Sequence, residues 1–145
     1  MATIVVGVDG SDDAHSALRF AIEEAQLRGW RLRVICAWEL PVAEWAELPP
    51  PEEPVDRFRR EAEEVVARAA EIVEKEAPGV EVERLAPEGP PAKALLEQSS
   101  DASMLVVGNR GRGTVAGVLL GSVSQEVAQK AACPVVVVPH QGSSE

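Results

Sequence analysis

The amino-acid sequence predicts an α/β fold: a single doubly wound domain, an open sandwich with a five-stranded parallel sheet and four helices. Three observations carry the prediction. Apolar runs alternate with stretches of helical spacing in the order β-α-β-α-β-α-β-α-β. That order suits parallel strands joined by right-handed crossovers, with helices on both faces of the sheet. A length of 145 residues is that of one domain, and such a chain buries roughly 68–70% of its unfolded surface without a metal or disulfide staple.

The elements follow in chain order. Thr3–Val8 is a short β-rich run that ends at Asp9-Gly10-Ser11. Ala14, Ala17, Leu18, Ala21, Ile22 and Ala25 then recur at helical spacing, with Ser11 or Asp12 as the N-cap and Gly29 past the end. Leu32–Trp38 is the second strand. From Glu39 to Pro54 five prolines mark an extended connection. Val55, Phe58, Ala62, Val65, Ala69 and Ile72 step by three and four along a second helix whose other face is crowded with Glu and Arg. Pro78-Gly79 ends it. Val80–Ala86 alternates weakly as a strand, Pro91–Gln98 is a short helix, and Ser103–Gly108 is the fourth strand. A glycine-punctuated stretch runs to Gly121. Val123, Val127, Ala128 and Ala131 mark the last helix, and Pro134–Pro139 encloses four consecutive valines. Residues 1–140 form the expected domain, and 141–145 a flexible tail.

Charge bounds the partners. With 24 acids against 14 bases the formal net charge is −10, which disfavours nucleic acid and anionic membranes. No apolar run approaches the roughly 20 residues of a membrane span, and the N-terminus lacks a signal peptide's basic region and cleavage site. A cytoplasmic protein is expected. Cys36 and Cys133 have neither CxxC spacing nor a nearby His, and read as reduced, packed thiols.

The charge is unevenly spread. Of the 24 acids, 12 fall between Glu39 and Glu76, and none between Ala102 and Gln125, where Arg110 and Arg112 stand. That acid-free window holds the glycine-rich connection after the fourth strand, with five glycines from Gly108 to Gly121. Glycines let backbone N–H groups approach an anion closely, and Gly121-Ser122 opens a helix whose free amides suit phosphate. Ser122 and Ser124 could add hydroxyl hydrogen bonds. The bland alternative is a flexible loop before an ordinary helix, and composition leaves both readings open.

Three motifs can be tested on this segment. Walker A is absent, because no Lys precedes Ser122. Gly111-Arg112-Gly113-Thr114-Val115-Ala116 matches the dinucleotide glycine pattern, yet no acid ends the next strand. The third pattern fits. Gly108-x2-Gly111-x9-Gly121-Ser122 resembles the nucleotide-binding motif of the universal stress protein family. The resemblance extends over nearly the whole chain, through Val8-Asp9-Gly10-Ser11, Leu105-Val106-Val107-Gly108, Gly121-Ser122-Val123-Ser124 and Cys133-Pro134-Val135-Val136-Val137-Val138.

The resemblance implies an ATP-binding, nucleotide-dependent stress regulator. Asp9 would lie beside the nucleoside, with Gly7 and Val8 on the same wall, and Ala37 would offer its backbone to the adenine edge. Val107, Gly108, Arg110 and Gly111 would approach ribose and phosphates. Gly121, Ser122, Val123 and Ser124 would hold phosphates through amides and hydroxyls. A divalent ion, Mg or Mn, can accompany the phosphates; no acidic cluster argues for a dedicated protein metal site. Proteins of this family also form homodimers by pairing their last strand with its mate, which implies a second copy across Pro134–Pro139. Ala37 is smaller than the β-branched residue usual there, and Ser99-Ser100 replace small apolar residues.

Other residues carry less. His15, near Asp12 and Asp13, reads as a surface histidine, and His140 as solvated. Trp38 and Trp45 read as packing residues, with a lid over the nucleotide as the alternative. Two further functions compete with the regulator: an ATP hydrolase or ATP-pyrophosphatase-like enzyme, and a dimeric scaffold that binds no nucleotide. The pyrophosphatase pattern S-G-G-x-D-S is not met by Val8-Asp9-Gly10-Ser11-Asp12-Asp13, and no nucleophile–base constellation is visible in the sequence.

Overall fold

The structure is a computed structural model and describes residues 2–40, 52–109 and 120–139. Its elements are β1 (Thr3–Gly7), α1 (Asp12–Arg28), β2 (Arg31–Ile35), α2 (Glu52–Glu76), β3 (Val82–Leu85), α3 (Pro91–Gln98), β4 (Met104–Gly108), α4 (Ser122–Lys130) and β5 (Val135–Val138). The strands form one parallel sheet in the order β3-β2-β1-β4-β5. This is the predicted doubly wound α/β architecture.

Alternation along the strands sorts side chains onto two faces. Ile4, Val6, Leu32, Val34, Met104 and Val106 pack under α1 and α2, against Ala17, Leu18, Ala21, Val66 and Val73. Val5, Ile35, Leu105 and Val107 point the other way, against Ala92 and Leu95 of α3 and Val127 of α4. A central parallel strand is buried on both faces; Ile4, Val5 and Val6 of β1 are each 0% exposed.

Helix α3 has only 8 residues, and Arg33 completes the face it shares. The Arg33 side chain donates to Oε1 of Glu83, its register partner on β3, and to the Gln98 carbonyl at the end of α3, both at 2.8 Å. The hydrogen bond to Glu83 holds the guanidinium still more firmly protonated, against the opposing effect of burial.

Several strand ends differ from expectation by one or two residues, and two boundaries differ by three. Helix α2 begins at Glu52, so Pro54, assigned above to the connection, lies in the first helical turn. Proline fits there because that turn's amides have no intrahelical acceptor. Strand β2 stops at Ile35 rather than Trp38. The chain beyond it still holds β3's exit: Trp38 makes an isolated bridge to Glu88 and its indole donates to the Ala86 carbonyl at 3.0 Å.

From β1 the chain steps outward through β2 to β3, then returns to the other side of β1 for β4 and β5. The strand order therefore reverses between β1 and β4, and ligands of such sheets sit in the crevice at the carboxyl ends there. Strand β5 is an edge of the sheet, not an interior strand, and Val135, Val136 and Val137 are only half-buried.

Candidate functional site at the carboxyl ends of β1 and β4

Two helices begin at this crevice, and their first turns are built differently. Before α1, the Asp9 carboxylate accepts a hydrogen bond from the Ser11 amide at 2.9 Å. Gly10 turns the chain with φ +85°, a conformation open to glycine. Ser11 Oγ then caps the helix by accepting from the Ala14 amide at 3.2 Å, and Asp12 and Asp13 set negative charge on the first turn.

Before α4 the cap is Gly121, extended at φ −71° and ψ 166°, with no side chain to bond the first amides and no acid in the first turn. The first amides of any α-helix lack intrahelical acceptors, so Ser122, Val123 and Ser124 offer a donor set suited to an anion. Gly121 itself is fastened: its amide donates to the Asn109 carbonyl at 2.8 Å. The Ser124 hydroxyl, 2% exposed, lies 3.0 Å from both the Asn109 and Gly121 carbonyls. Its proton is thus directed at backbone oxygen. The Asn109 amide in turn donates to the Val138 carbonyl at 2.8 Å, tying β4's end to β5.

Between these helix ends lies a cavity of about 280 Å³. Asp9, Ser11, Ser122 and Ser124 give its lining polar side chains, and Ile35, Ala37, Pro91, Leu95 and Val107 are among the apolar ones. Among the described residues Asp9 is the sole ionisable group lining it. A ligand with an apolar part and an anionic part matches that lining together with the open amides of α4.

Gly7, Val8, Asp9, Ala37 and Val107 all line the cavity, as do Gly108, Gly121, Ser122, Val123 and Ser124. Arg110 and Gly111 lie outside the described residues, as do Trp45, most of the 39–54 connection, His140 and the tail. Two of the glycines have packing reasons of their own. A Cβ on Gly108 would come within 2.8 Å of the Asp13 backbone, so this glycine lets α1 sit against β4. A Cβ on Gly7 would meet Leu95 Cδ1 at 3.0 Å. Sequence reasoning missed Asn109, whose contribution is a backbone carbonyl. It also missed the apolar wall of Ile35, Pro91 and Leu95, whose face could have been read from strand alternation and helical spacing.

Comparison with known proteins agrees with the fold. The profile described as the universal stress protein family matches residues 1–139. A universal stress protein of Thermus aquaticus is 40% identical over 139 residues, covering 94% of this chain and 97% of that protein. The solved universal stress protein of Archaeoglobus fulgidus in complex with dAMP is 31% identical, covers 94% of this chain and 97% of its own, and has a TM-score of 0.68. A universal stress protein solved in complex with cAMP is 29% identical, with 97% and 98% coverage and a TM-score of 0.72. The chain spans less than half the length of the mycobacterial universal stress proteins it matches, 44% in the case of one from Mycobacterium tuberculosis. The sheet order, the glycine-capped helix beside β4 and a profile running the length of the fold lead to one conclusion: the chain belongs to the universal stress protein family.

Proposed function

We propose that the chain is a cytoplasmic, homodimeric, ATP-binding regulator that responds to nucleotide. The observation that carries the proposal is the α4 N-terminus: a glycine cap and an acid-free first turn, opening onto a cavity with a largely apolar lining. In this reading the adenine occupies the end lined by Ile35, Ala37, Pro91 and Leu95, beside the backbone of Ala37. The ribose lies near Gly7, Val8, Asp9, Val107 and Gly108. The phosphates meet Gly121 and the amides of Ser122, Val123 and Ser124, with Arg110 and Gly111 approaching from the glycine-rich segment. Ser122, exposed, adds its hydroxyl, whereas Ser124 keeps its own for the Asn109 carbonyl.

The bound dAMP and cAMP of two related structures support a nucleotide as the ligand. A divalent ion, Mg or Mn, would be held chiefly through the phosphates, since Asp9 is the one carboxylate lining the cavity among the described residues. Among the described residues no helix is long and apolar enough to cross a membrane. The dimer is proposed through the edge of β5, where half-buried Val135, Val136 and Val137 stand on a strand that no other strand of the described residues covers on its outer side, and a second copy can pair there.

Mass spectrometry of nucleotides released from denatured, purified protein, paired with calorimetric titration of ATP, tests the ligand. Co-purifying or titratable ATP is expected. No released nucleotide and no heat would overturn the reading in favour of a scaffold. Light scattering at micromolar concentration is expected to give twice the monomer mass, and a monomer would overturn the dimer.

A further inference from the structure

The turn between β1 and α1 has a cavity on each side. The second, about 190 Å³, opens between α1 and α2, on the opposite face of the sheet from α3 and α4. Its apolar lining comes from Val8 and Ala14 on one side, with Leu18, and from Val65, Ala69 and Ile72 on the other. Two exposed side chains complete the rim, His15 from α1 and Arg68 from α2. No carboxylate of the described residues lines it, in a chain with 24 acids. Among the described residues no ion pair engages Arg68.

Size, apolarity and charge together select an occupant. The volume, about 190 Å³, is smaller than the 280 Å³ of the crevice at the carboxyl ends, so the ligand is small. The lining removes hydrocarbon from water, which supplies the driving force. The planar guanidinium of Arg68 matches a carboxylate in two parallel hydrogen bonds, and His15 offers ring nitrogens beside it. An exposed ion pair adds little affinity alone, so the charge selects the head group while the apolar wall holds the chain.

The two cavities share a wall. Val8, Ser11 and Ala14 line both. In that wall Gly10 holds φ +85°, and the Asp9 carboxylate is fixed by the Ser11 amide. A molecule seated between Val65 and Leu18 therefore presses on the segment that positions Asp9.

We propose that the α1–α2 cavity is a second ligand site for a small amphipathic carboxylate, and that its occupancy changes nucleotide affinity through the shared β1–α1 turn. The binding stands by itself; the coupling rests on the nucleotide reading given above.

Octanoate is a suitable probe and 1-octanol its uncharged counterpart, both added to the full chain with its methyl groups observed by NMR. Octanoate is expected to shift the methyls of Leu18, Val65 and Ile72 saturably, before those of Leu95 and the β5 valines. Arg68→Gln, an exposed and fold-neutral change, is expected to weaken octanoate about threefold and leave octanol unchanged. No saturation below roughly 5 mM overturns the site. So do shifts spread equally over Val135–Val138, or equal octanoate affinity in wild type and Arg68→Gln. Nucleotide titration with and without octanoate reads the coupling. A change of about threefold or more is expected, and the same factor should return when octanoate is titrated with and without nucleotide. Two ligands that bind without affecting each other overturn the coupling alone. Absent nucleotide binding overturns the reading it rests on, and the octanoate shifts still decide the site.

Discussion

The two helices that start at the crevice are a matched pair with opposite first turns. Helix α1 supplies its own anions: Ser11 caps it, and Asp12 and Asp13 sit on the positive end of its dipole. Helix α4 supplies none; glycine stands at its cap, and its first turn has no acid. Both open toward one cavity. The difference teaches that a helix N-terminus stays open to an external anion only where the sequence withholds an internal one. Position at the end of a strand brings both helices to the crevice, and local chemistry decides which of them is available.

Giving α4 the kind of cap that α1 has is the strongest way to break that contrast. Gly121→Asp is expected to weaken ATP binding by about a hundredfold or more, because its carboxylate takes the amides and repels phosphate. The extended backbone at Gly121 suits an aspartate cap, so circular dichroism should report an intact fold. Unchanged ATP affinity in that folded variant would remove α4 as the phosphate end. Next in size is Gly108→Ala, which forces a Cβ against the Asp13 backbone. It is expected to cost about 1–3 kcal/mol, read as a lower urea midpoint, and a wild-type midpoint would show that α1 can shift away freely. Ser11→Ala removes the internal cap of α1 and should lower stability by about 1 kcal/mol. If it leaves the denaturation curve unchanged, the asymmetry between the two first turns is weaker than drawn.

The smallest effect is expected past the far end of α4. Burial pushes the Cys133 thiol up from its ordinary value, so less of it is thiolate at pH 7. Alkylation by iodoacetamide should be slower than for an exposed peptide thiol, should accelerate as pH rises toward the raised value, and should become ordinary in denaturant. A fast reaction at pH 7 in the folded protein would contradict this.

Much of this molecule is legible from residue types alone. Helix α3 falls where Pro91 and the Ala92–Leu95–Leu96 spacing put it, at Pro91–Gln98, because proline at a first helical position is a strong local signal. Helix α1 is equally plain, capped by Ser11 and closed by Gly29 in the left-handed region. Strand ends are less so. The apolar run Leu32–Trp38 continues past Ile35, but its regular pairing with β3 does not, and only the neighbouring strand determines that. In the cavity, the glycine positions and the open first turn of α4 were legible, while the Asn109 carbonyl and the wall of Ile35, Pro91 and Leu95 were not read. Asn109 acts through its carbonyl, for which no side chain is a marker. Gly108 reads equally well as room for a ligand or as room for a helix, and its distance to Asp13 supplies the second reason. Whether β5 lies inside the sheet or at its edge is likewise invisible in four valines; it depends on the order of all five strands.

The Asn109 carbonyl has a consequence for how this fold can be altered. A single oxygen receives both the Gly121 amide and the Ser124 hydroxyl, so residues 109 and 121 are joined directly through the main chain. The direction of α4 is thereby set by the main chain at the end of β4: two donors from the first turn of the helix and its cap converge on one acceptor, and the acceptor is itself tied to β5 through the Asn109 amide. An exchange of the Asn109 side chain that keeps the backbone in place leaves this clamp intact, and the helix that follows keeps its aim.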